Sequence, residues 1–162
     1  MSRHILLKNF EGFTRIRVGA ILIEKNSVLL VKQASLFDTT LSNWLPPGGG
    51  LLFRESLEDA VQRECLEETG LRVKPIKLLY INEFIYDQVH AVEFFFLVER
   101  ADQKEAVLGT DPELSEADQI IQDLLWIPLD DLKKFQVIPD KLFKRIADDY
   151  LKGFVEHPLL IK

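Results

Sequence analysis

The sequence predicts an α/β domain in which helices pack on a mixed β-sheet, and three observations support this. Two β-rich runs, residues 15–24 and 28–33, are separated by only three residues. A helix-forming segment follows at residues 56–69, and further β-rich runs occupy residues 76–85 and 89–99. Strands interleaved with helices indicate layers of helix on sheet. Because the opening pair predicts a hairpin, we expect antiparallel as well as parallel strands.

The remaining elements follow from local composition. Residues 44–50, WLPPGGG, contain two prolines and three glycines, which oppose regular structure and let the backbone approach a ligand closely. The polar, acidic residues 101–119 predict an exposed loop. A last short strand is expected at 124–127, a short helix at 130–135 and a final amphipathic helix at 139–152.

Length and composition narrow the class of protein. The 162 residues suit one domain, and no repeat or linker divides residues 1–162. No apolar run reaches the roughly 18 residues that a membrane span needs, and the N-terminus is too polar for a secretory signal. The single cysteine, Cys65, excludes an internal disulfide and a cysteine-built zinc site, so a cytoplasmic location is expected.

The net charge of −6 argues against nucleic acid as a partner, because an acidic surface repels phosphate backbones. A small phosphorylated ligand is still compatible with this charge. Its binding would need a local cation, either basic side chains or a metal ion held by carboxylates.

The helix at residues 56–69 has clear end signals. Ser56 is a favourable N-cap, and Glu58 and Asp59 place negative charge in the first turn. Gly70 is the residue type that most often ends a helix.

The same helix carries carboxylates on its inward face. Its apolar residues share one face: Leu57, Ala60, Val61 and Cys65. At about 100° per residue, Glu64 and Glu68 fall in the middle of that face and Glu67 at its edge. Buried carboxylates need positive compensation, and these three can converge on one point as hard ligands for Mg²⁺, Mn²⁺ or Ca²⁺. Alternatively, the last turns lie in solvent, although the upstream glycines favour a site.

Residues 49–71, GGLLFRESLEDAVQRECLEETGL, resemble the Nudix box, whose pattern is G-x5-E-x7-R-E-U-x-E-E-x-G-U with U a bulky aliphatic. Eight positions match: Gly49, Glu55, Arg63, Glu64, Glu67, Glu68, Gly70 and Leu71. Cys65 stands where a larger aliphatic is usual, but buried cysteine behaves as a small hydrophobe. Looser similarity extends from about Arg15 to Leu132. The chain is therefore similar to the MutT-like Nudix hydrolases.

The resemblance implies an α/β/α sandwich with a mixed sheet, in which the box forms a loop–helix–loop. It implies hydrolysis of the diphosphate bond of a nucleoside diphosphate linked to another moiety, with Mg²⁺ as cofactor and Mn²⁺ as a substitute. The partner would be a small nucleotide rather than a nucleic acid or a membrane, and a homodimer is compatible with the family.

By position, the resemblance also implies roles for the box residues. Glu67 and Glu68 would be the main metal ligands, and Glu64 a further ligand or the base that activates water. Arg63 would orient a carboxylate by a charge-assisted hydrogen bond. Glu55 would support the site by a salt bridge or by a contact outside the metal ligands. Gly48 and Gly49 would let the backbone reach metal or phosphate.

Outside the fixed positions of the box, three residues are candidates for substrate contact. Arg54 is a specificity element or an exposed loop arginine, and Tyr86 stacks on a base or packs locally. Glu93 is a further acid or a residue on a solvated strand face. The alternative acids outside the box are Glu113, Glu116 and Asp123. The isolated histidines are assigned no catalytic role.

The substrate stays open among oxidised nucleoside triphosphates, nucleotide sugars, ADP-ribose and dinucleoside polyphosphates. The alternative to a hydrolase is a catalytically silent Nudix-like nucleotide sensor, which would be expected to lose box carboxylates or to gain an output domain. A third hypothesis, an interaction module that uses the acidic loop, leaves the inward carboxylates unexplained.

Overall fold

The computed structural model of the protein describes residues 12–35, 37–38, 40–110 and 119–161. In chain order the elements are β1 (Thr14–Glu24), β2 (Ser27–Ala34), β3 (Ser42–Leu45), α1 (Leu57–Thr69), β4 (Val73–Tyr86), β5 (Val89–Arg100), β6 (Ile121–Pro128), a 3-10 helix (Leu129–Lys134), α2 (Asp140–Phe143), α3 (Ile146–Leu151) and β7 (Leu159–Ile161). No helix in these described residues is long and apolar enough to cross a membrane.

The sheet contains two β-hairpins, of which the first was predicted from the sequence. β1 and β2 pair antiparallel around Lys25 and Asn26, whose φ angles are 48° and 59°. Positive φ at both turn residues gives the backbone twist that a two-residue hairpin needs. β4 and β5 form a longer antiparallel hairpin, with Asp87 at φ 51° in its turn.

The sheet is mixed, which confirms the fold class. Its strand order is β3-β2-β1-β5-β4-β7, and β6 also pairs with β2. β1 runs parallel to β5, and β4 runs parallel to β7, whereas the other pairs are antiparallel.

Apolar clusters cover both faces of the sheet and give the predicted helix–sheet–helix layers. On one face Val61 of α1 packs with Ala20 of β1. On the other face Leu142 and Ile146, from the C-terminal helices, pack with Ile21. Ala20 and Ile21 face opposite ways because successive strand residues alternate. Fully burying a large aliphatic side chain stabilises the fold by about 1.5–3 kcal/mol, so both layers contribute to stability.

The C-terminal region differs from the prediction. The expected single helix over residues 139–152 is two short helices, because Arg145 N donates to Leu142 O, 3.1 Å away, instead of continuing the α-helical hydrogen-bond pattern. The strand predicted at 124–127 is part of β6, and it is not the last strand because β7 follows. Trp44 and Leu45, predicted to be irregular, end β3.

The loop after β5 is hydrogen-bonded to α1, although its polar sequence predicted only an exposed loop. Val107 N donates to Thr69 O, and Gly109 N donates to Glu68 O, both at 2.9 Å. The last carbonyls of a helix have no partner within the helix, so these bonds dock the loop on the end of α1. The described part of the predicted exposed loop therefore supports the helix that carries the carboxylates.

Candidate functional site

The ends of α1 are set by the predicted signals. Ser56 Oγ accepts a hydrogen bond from Asp59 N at 3.1 Å and caps the N-terminus. Gly70 adopts φ 70°, and its N–H donates to Leu66 O at 2.9 Å. An L-residue with a side chain rarely adopts that conformation, so glycine suits this helix end.

Arg63 ties α1 to the loop before it. Its guanidinium donates to Glu55 Oε1 and Oε2 at 2.7 and 2.9 Å, and to Gly50 O at 3.1 Å. Nη1 donates to Glu64 Oε1 at 2.9 Å and to Glu67 Oε2 at 3.1 Å. Five contacts use all five N–H groups of the side chain. The hydrogen bonds from Arg63 lower the pKa of Glu55, and the pKa of Arg63 itself is raised above its ordinary value.

Glu64 is buried against the glycine loop. Its burial raises its pKa to about 6, although Arg63 and Arg17 both favour the ionised form. A Cβ built on Gly49 would lie 2.4 Å from Glu64 Oε1 and 2.6 Å from Oε2. A side chain at position 49 would therefore displace this carboxylate, which explains the glycine.

Glu68 is held by different partners. Only 4% of this residue is exposed. Its Oε1 accepts from Gln33 Nε2 and its Oε2 accepts from Gly48 N, both at 3.0 Å. The backbone amide of Gly48, predicted to reach metal or phosphate, is thus engaged with Glu68. A Cβ on Gly48 would lie 2.1 Å from Val18 O, so this position requires glycine.

The carboxylates on α1 are only partly drawn together. Glu64 and Glu67 share Nη1 of Arg63, whereas Glu68 points toward Gly48 and Gln33. Within the described ranges, no three His, Cys, Asp or Glu side chains already form a group that could hold a metal ion. However, Glu64 Oε2 and Glu67 Oε1 accept no hydrogen bond from the described residues.

The donor set nevertheless fits a hard divalent cation. Three carboxylates, from Glu55, Glu64 and Glu67, contact the Arg63 guanidinium, and Glu68 adds a fourth one turn after Glu64 on α1. Glu64 and Glu68 are buried. Carboxylate oxygens are the ligands that Mg²⁺ and Mn²⁺ prefer. The uncompensated negative charge of this cluster would be offset by such an ion.

A cavity of about 450 Å³ opens on the sheet between the start of β1, the glycine loop and the N-terminus of α2. This volume is in the range of small-molecule sites and would accommodate a nucleoside. Val18, Ala91 and Phe95 are among its apolar lining residues. Gln33 and Gly48, the two partners of Glu68, also line it, so the cavity adjoins the carboxylate cluster.

The residues predicted to contact substrate have different positions. Glu93 lines the cavity, where its Oε2 accepts from Asn82 Nδ2 at 2.8 Å. Tyr86 is exposed and lies outside the lining, but its ring centroid is 4.9 Å from that of Phe37, which lines it. Arg54 is an exposed loop residue with φ 68° and does not line the cavity.

Of the alternative acids outside the box, the structure describes only Asp123, which does not line the cavity. Asp123 is exposed and bonds to its own neighbour, Leu124 N, at 2.8 Å. Glu113 and Glu116 lie outside the described residues.

Sequence reasoning missed several polar residues that line the cavity. Arg15, Arg17 and Asn82 lie on strands that meet only through long-range pairing. The available signal was the alternation of Arg15 and Arg17 at the start of an otherwise apolar strand, which places both on one face.

Comparisons with known proteins agree with this arrangement. Residues 13–146 match the model of the NUDIX domain. The chain is 34% identical over 87 residues to the 8-oxo-dGTP diphosphatase of Escherichia coli (strain K12), covering 53% of this chain and 66% of that protein. It is 30% identical over 123 residues to the 8-oxo-dGTP diphosphatase of Buchnera aphidicola subsp. Schizaphis graminum, covering 76% and 83%.

A solved MutT NUDIX hydrolase from Burkholderia pseudomallei is similar in structure, with a TM-score of 0.63 and 27% identity over 83% of this chain and 95% of that chain. The chain spans 66% of the Escherichia coli relative and between 25% and 36% of five further curated relatives. The family match extends from the residue before β1 to the first residue of α3 and includes the whole box. The chain therefore belongs to the NUDIX domain family.

Proposed function

We propose that the protein is a hydrolase that depends on a divalent metal ion and cleaves the diphosphate bond of a nucleoside diphosphate derivative. The observation that carries this proposal is the carboxylate cluster formed by Glu55, Glu64 and Glu67 around Arg63 together with Glu68, which adjoins a cavity of nucleoside size through Gln33 and Gly48. The cluster alone would repel a phosphorylated ligand, so a bound cation is needed for the two features to serve one substrate.

Glu64, Glu67 and Glu68 are the proposed ligands, with Mg²⁺ as cofactor and Mn²⁺ as a substitute. The backbone of Gly49 borders the carboxylate of Glu64 and is the proposed main-chain contact. When bound, the ion would neutralise phosphate oxygens and lower the pKa of a bound water molecule.

The side chains of the site then have separate tasks. Arg63 fixes the orientation of Glu64 and Glu67 through charge-assisted hydrogen bonds. Glu64, whose pKa is raised to about 6 by burial, is ionised above that pH and can accept the proton of the attacking water. The water oxygen bonds to one phosphorus as the bond to the bridging oxygen breaks, and the other phosphate group leaves with that oxygen.

Two relatives named 8-oxo-dGTP diphosphatase make 8-oxo-dGTP the first substrate to test. A silent nucleotide sensor would need the cavity but not the carboxylates. The presence of Glu64, Glu67 and Glu68 together therefore favours the hydrolase over the sensor.

The test is hydrolysis of a panel containing 8-oxo-dGTP, dGTP, ADP-ribose, a nucleotide sugar and a dinucleoside polyphosphate. Each substrate is incubated with Mg²⁺ or with a chelator, and the products are separated by ion-exchange chromatography. We expect cleavage only with metal, and a fall of roughly 10²-fold or more in Glu67→Gln. Glu58→Gln, at an exposed glutamate on the same helix, is the matched control and should keep its rate.

One outcome of the panel would contradict the hydrolase proposal. If no member of the panel is cleaved with metal while a nucleotide still raises the melting temperature, the protein is a sensor and the hydrolase proposal is wrong.

A further inference from the structure

The cavity and the carboxylate cluster meet at the start of β1. Val18 N donates to Gly49 O at 2.9 Å, and Leu51 N donates to Ile16 O at 3.0 Å, so the glycine loop is bonded along this strand. Arg17 forms a β-bridge with Gly50, whose carbonyl accepts from Arg63. Arg17 is therefore paired with the loop residue that accepts a hydrogen bond from Arg63, the arginine of the carboxylate cluster.

A polar row crosses the sheet at this junction. Arg17 on β1 is in register with Glu93 on β5, and Glu93 is in register with Asn82 on β4. All three residues line the cavity. The next row, displaced by two residues along each strand, contains Arg15, Ala91 and Phe84, which also line it. The cavity wall thus carries two arginines of β1, both next to Gly50 of the glycine loop.

The guanidinium of Arg17 is weakly engaged. Its Nε lies 3.4 Å from Glu93 Oε1, longer than a charge-assisted hydrogen bond, and both side chains are partly exposed. Within the described part of the chain it donates no hydrogen bond to another group. Exposed ion pairs of this kind contribute little to stability, so the guanidinium can change partners at low cost. Arg63, by contrast, has all its donors in use.

A substrate whose nucleoside fills the cavity must extend its phosphates toward the glycine loop to reach the carboxylate cluster. Arg17 lines the cavity beside Glu93 and forms the β-bridge to Gly50 of that loop, so it is a cation on this route. A guanidinium suits this position because its planar fork matches phosphate oxygens.

Resting on the proposed function, we propose that Arg17, assisted by Arg15, binds the phosphate group nearest the nucleoside of the substrate. In the complex the guanidinium turns from Glu93 to the phosphate oxygens. The ligand class is the phosphate of a nucleoside diphosphate, and the nucleoside portion makes no contact with Arg17.

The test compares GDP with guanosine, which lacks phosphate, by calorimetric titration in the presence of Ca²⁺, a hard divalent cation that suits carboxylate ligands and offsets their repulsion of phosphate. Arg17→Ala should weaken GDP binding roughly tenfold to a hundredfold and leave guanosine binding unchanged. Arg17→Gln, which keeps most of the side-chain volume, should show the same selective loss and covers the case in which the alanine variant folds poorly. Arg72→Ala removes an exposed arginine just before β4 and is the matched control.

Unchanged GDP affinity, or an equal loss of GDP and guanosine affinity, would overturn the proposal. The titration needs no turnover, so it decides the role of Arg17 even if the wild-type protein cleaves nothing. If the wild type is an active hydrolase and Arg17→Ala keeps its GDP affinity, only the phosphate-binding role fails. In the active enzyme we expect Arg17→Ala to raise KM more than it lowers kcat, because the contact is made with bound substrate before reaction.

Discussion

Glu64→Gln should make the metal-free protein more stable at neutral pH while inactivating it. Burial raises the pKa of Glu64 from 4.5 to about 6, so folding favours the protonated carboxyl. This contribution is fully present below pH 4.5 and is lost as the pH rises through 6. Above that range the ionised carboxylate costs the folded state about 2 kcal/mol, which a neutral glutamine avoids.

Thermal unfolding in the presence of a chelator measures the effect. At pH 7.5 a gain of about 2 kcal/mol corresponds to a melting temperature higher by about 4–8 °C for a domain of this length. At pH 4.5 the two proteins should melt within a degree or so, since Glu64 is then largely protonated. Glu58→Gln, at an exposed position of α1, controls for the substitution itself.

A variant less stable than the wild type at pH 7.5 would refute this reasoning. It would show that the bond from Arg63 to Glu64 compensates the buried charge completely, and that the carboxylate cluster has no need of a cation.

Two further substitutions, Arg63→Met and Gly109→Ala, test the contacts that hold the site together, and Arg100→Met is the control for the first. Arg63→Met leaves Glu64 without its ion-pair partner and should cost about 3–5 kcal/mol, whereas Arg100→Met breaks a surface pair and should cost about 1 kcal/mol or less. The two arginines are equally exposed, at 23% and 24%, so equal losses in urea unfolding would contradict the special role of Arg63. Gly109→Ala would place a Cβ 1.8 Å from Glu67 O and should therefore displace the loop from the end of α1. We expect this to lower the free energy of unfolding by about 1–3 kcal/mol and to slow hydrolysis. An unchanged melting temperature and rate would show that this loop is not docked on α1.

Local signals were sufficient to predict α1 and much of its chemistry. Ser56 and Gly70 mark the observed ends, and the helical wheel predicted that Glu64 and Glu68 face inward, where both are buried. These features depend on residues within four positions of each other, so periodicity and capping rules apply directly. The hairpin around Lys25 and Asn26 was predictable for the same reason.

Features that depend on tertiary contacts were not predictable. Arg17, Glu93 and Asn82 meet because three strands pair in one particular register, which no local pattern contains. Likewise, Gln33 approaches Glu68 from 35 positions away.

Short elements were also missed, for a different reason. β3 has four residues and β7 has three, too few to show alternation. The C-terminal helix was predicted as one element because its apolar stripe continues across Lys144 and Arg145, where the hydrogen bonding changes from the α-helical pattern.

The most direct test of the central claim is a turnover experiment in ¹⁸O-labelled water with 8-oxo-dGTP, with Mg²⁺ or with a chelator. Hydrolysis at a diphosphate bond predicts one ¹⁸O atom in one of the two phosphorylated products, detected by mass spectrometry. The label should appear only with Mg²⁺ and should be nearly absent in Glu67→Gln. Equal labelling with the chelator, or unchanged labelling in Glu67→Gln, would contradict a hydrolase that depends on a metal held by the carboxylates of α1.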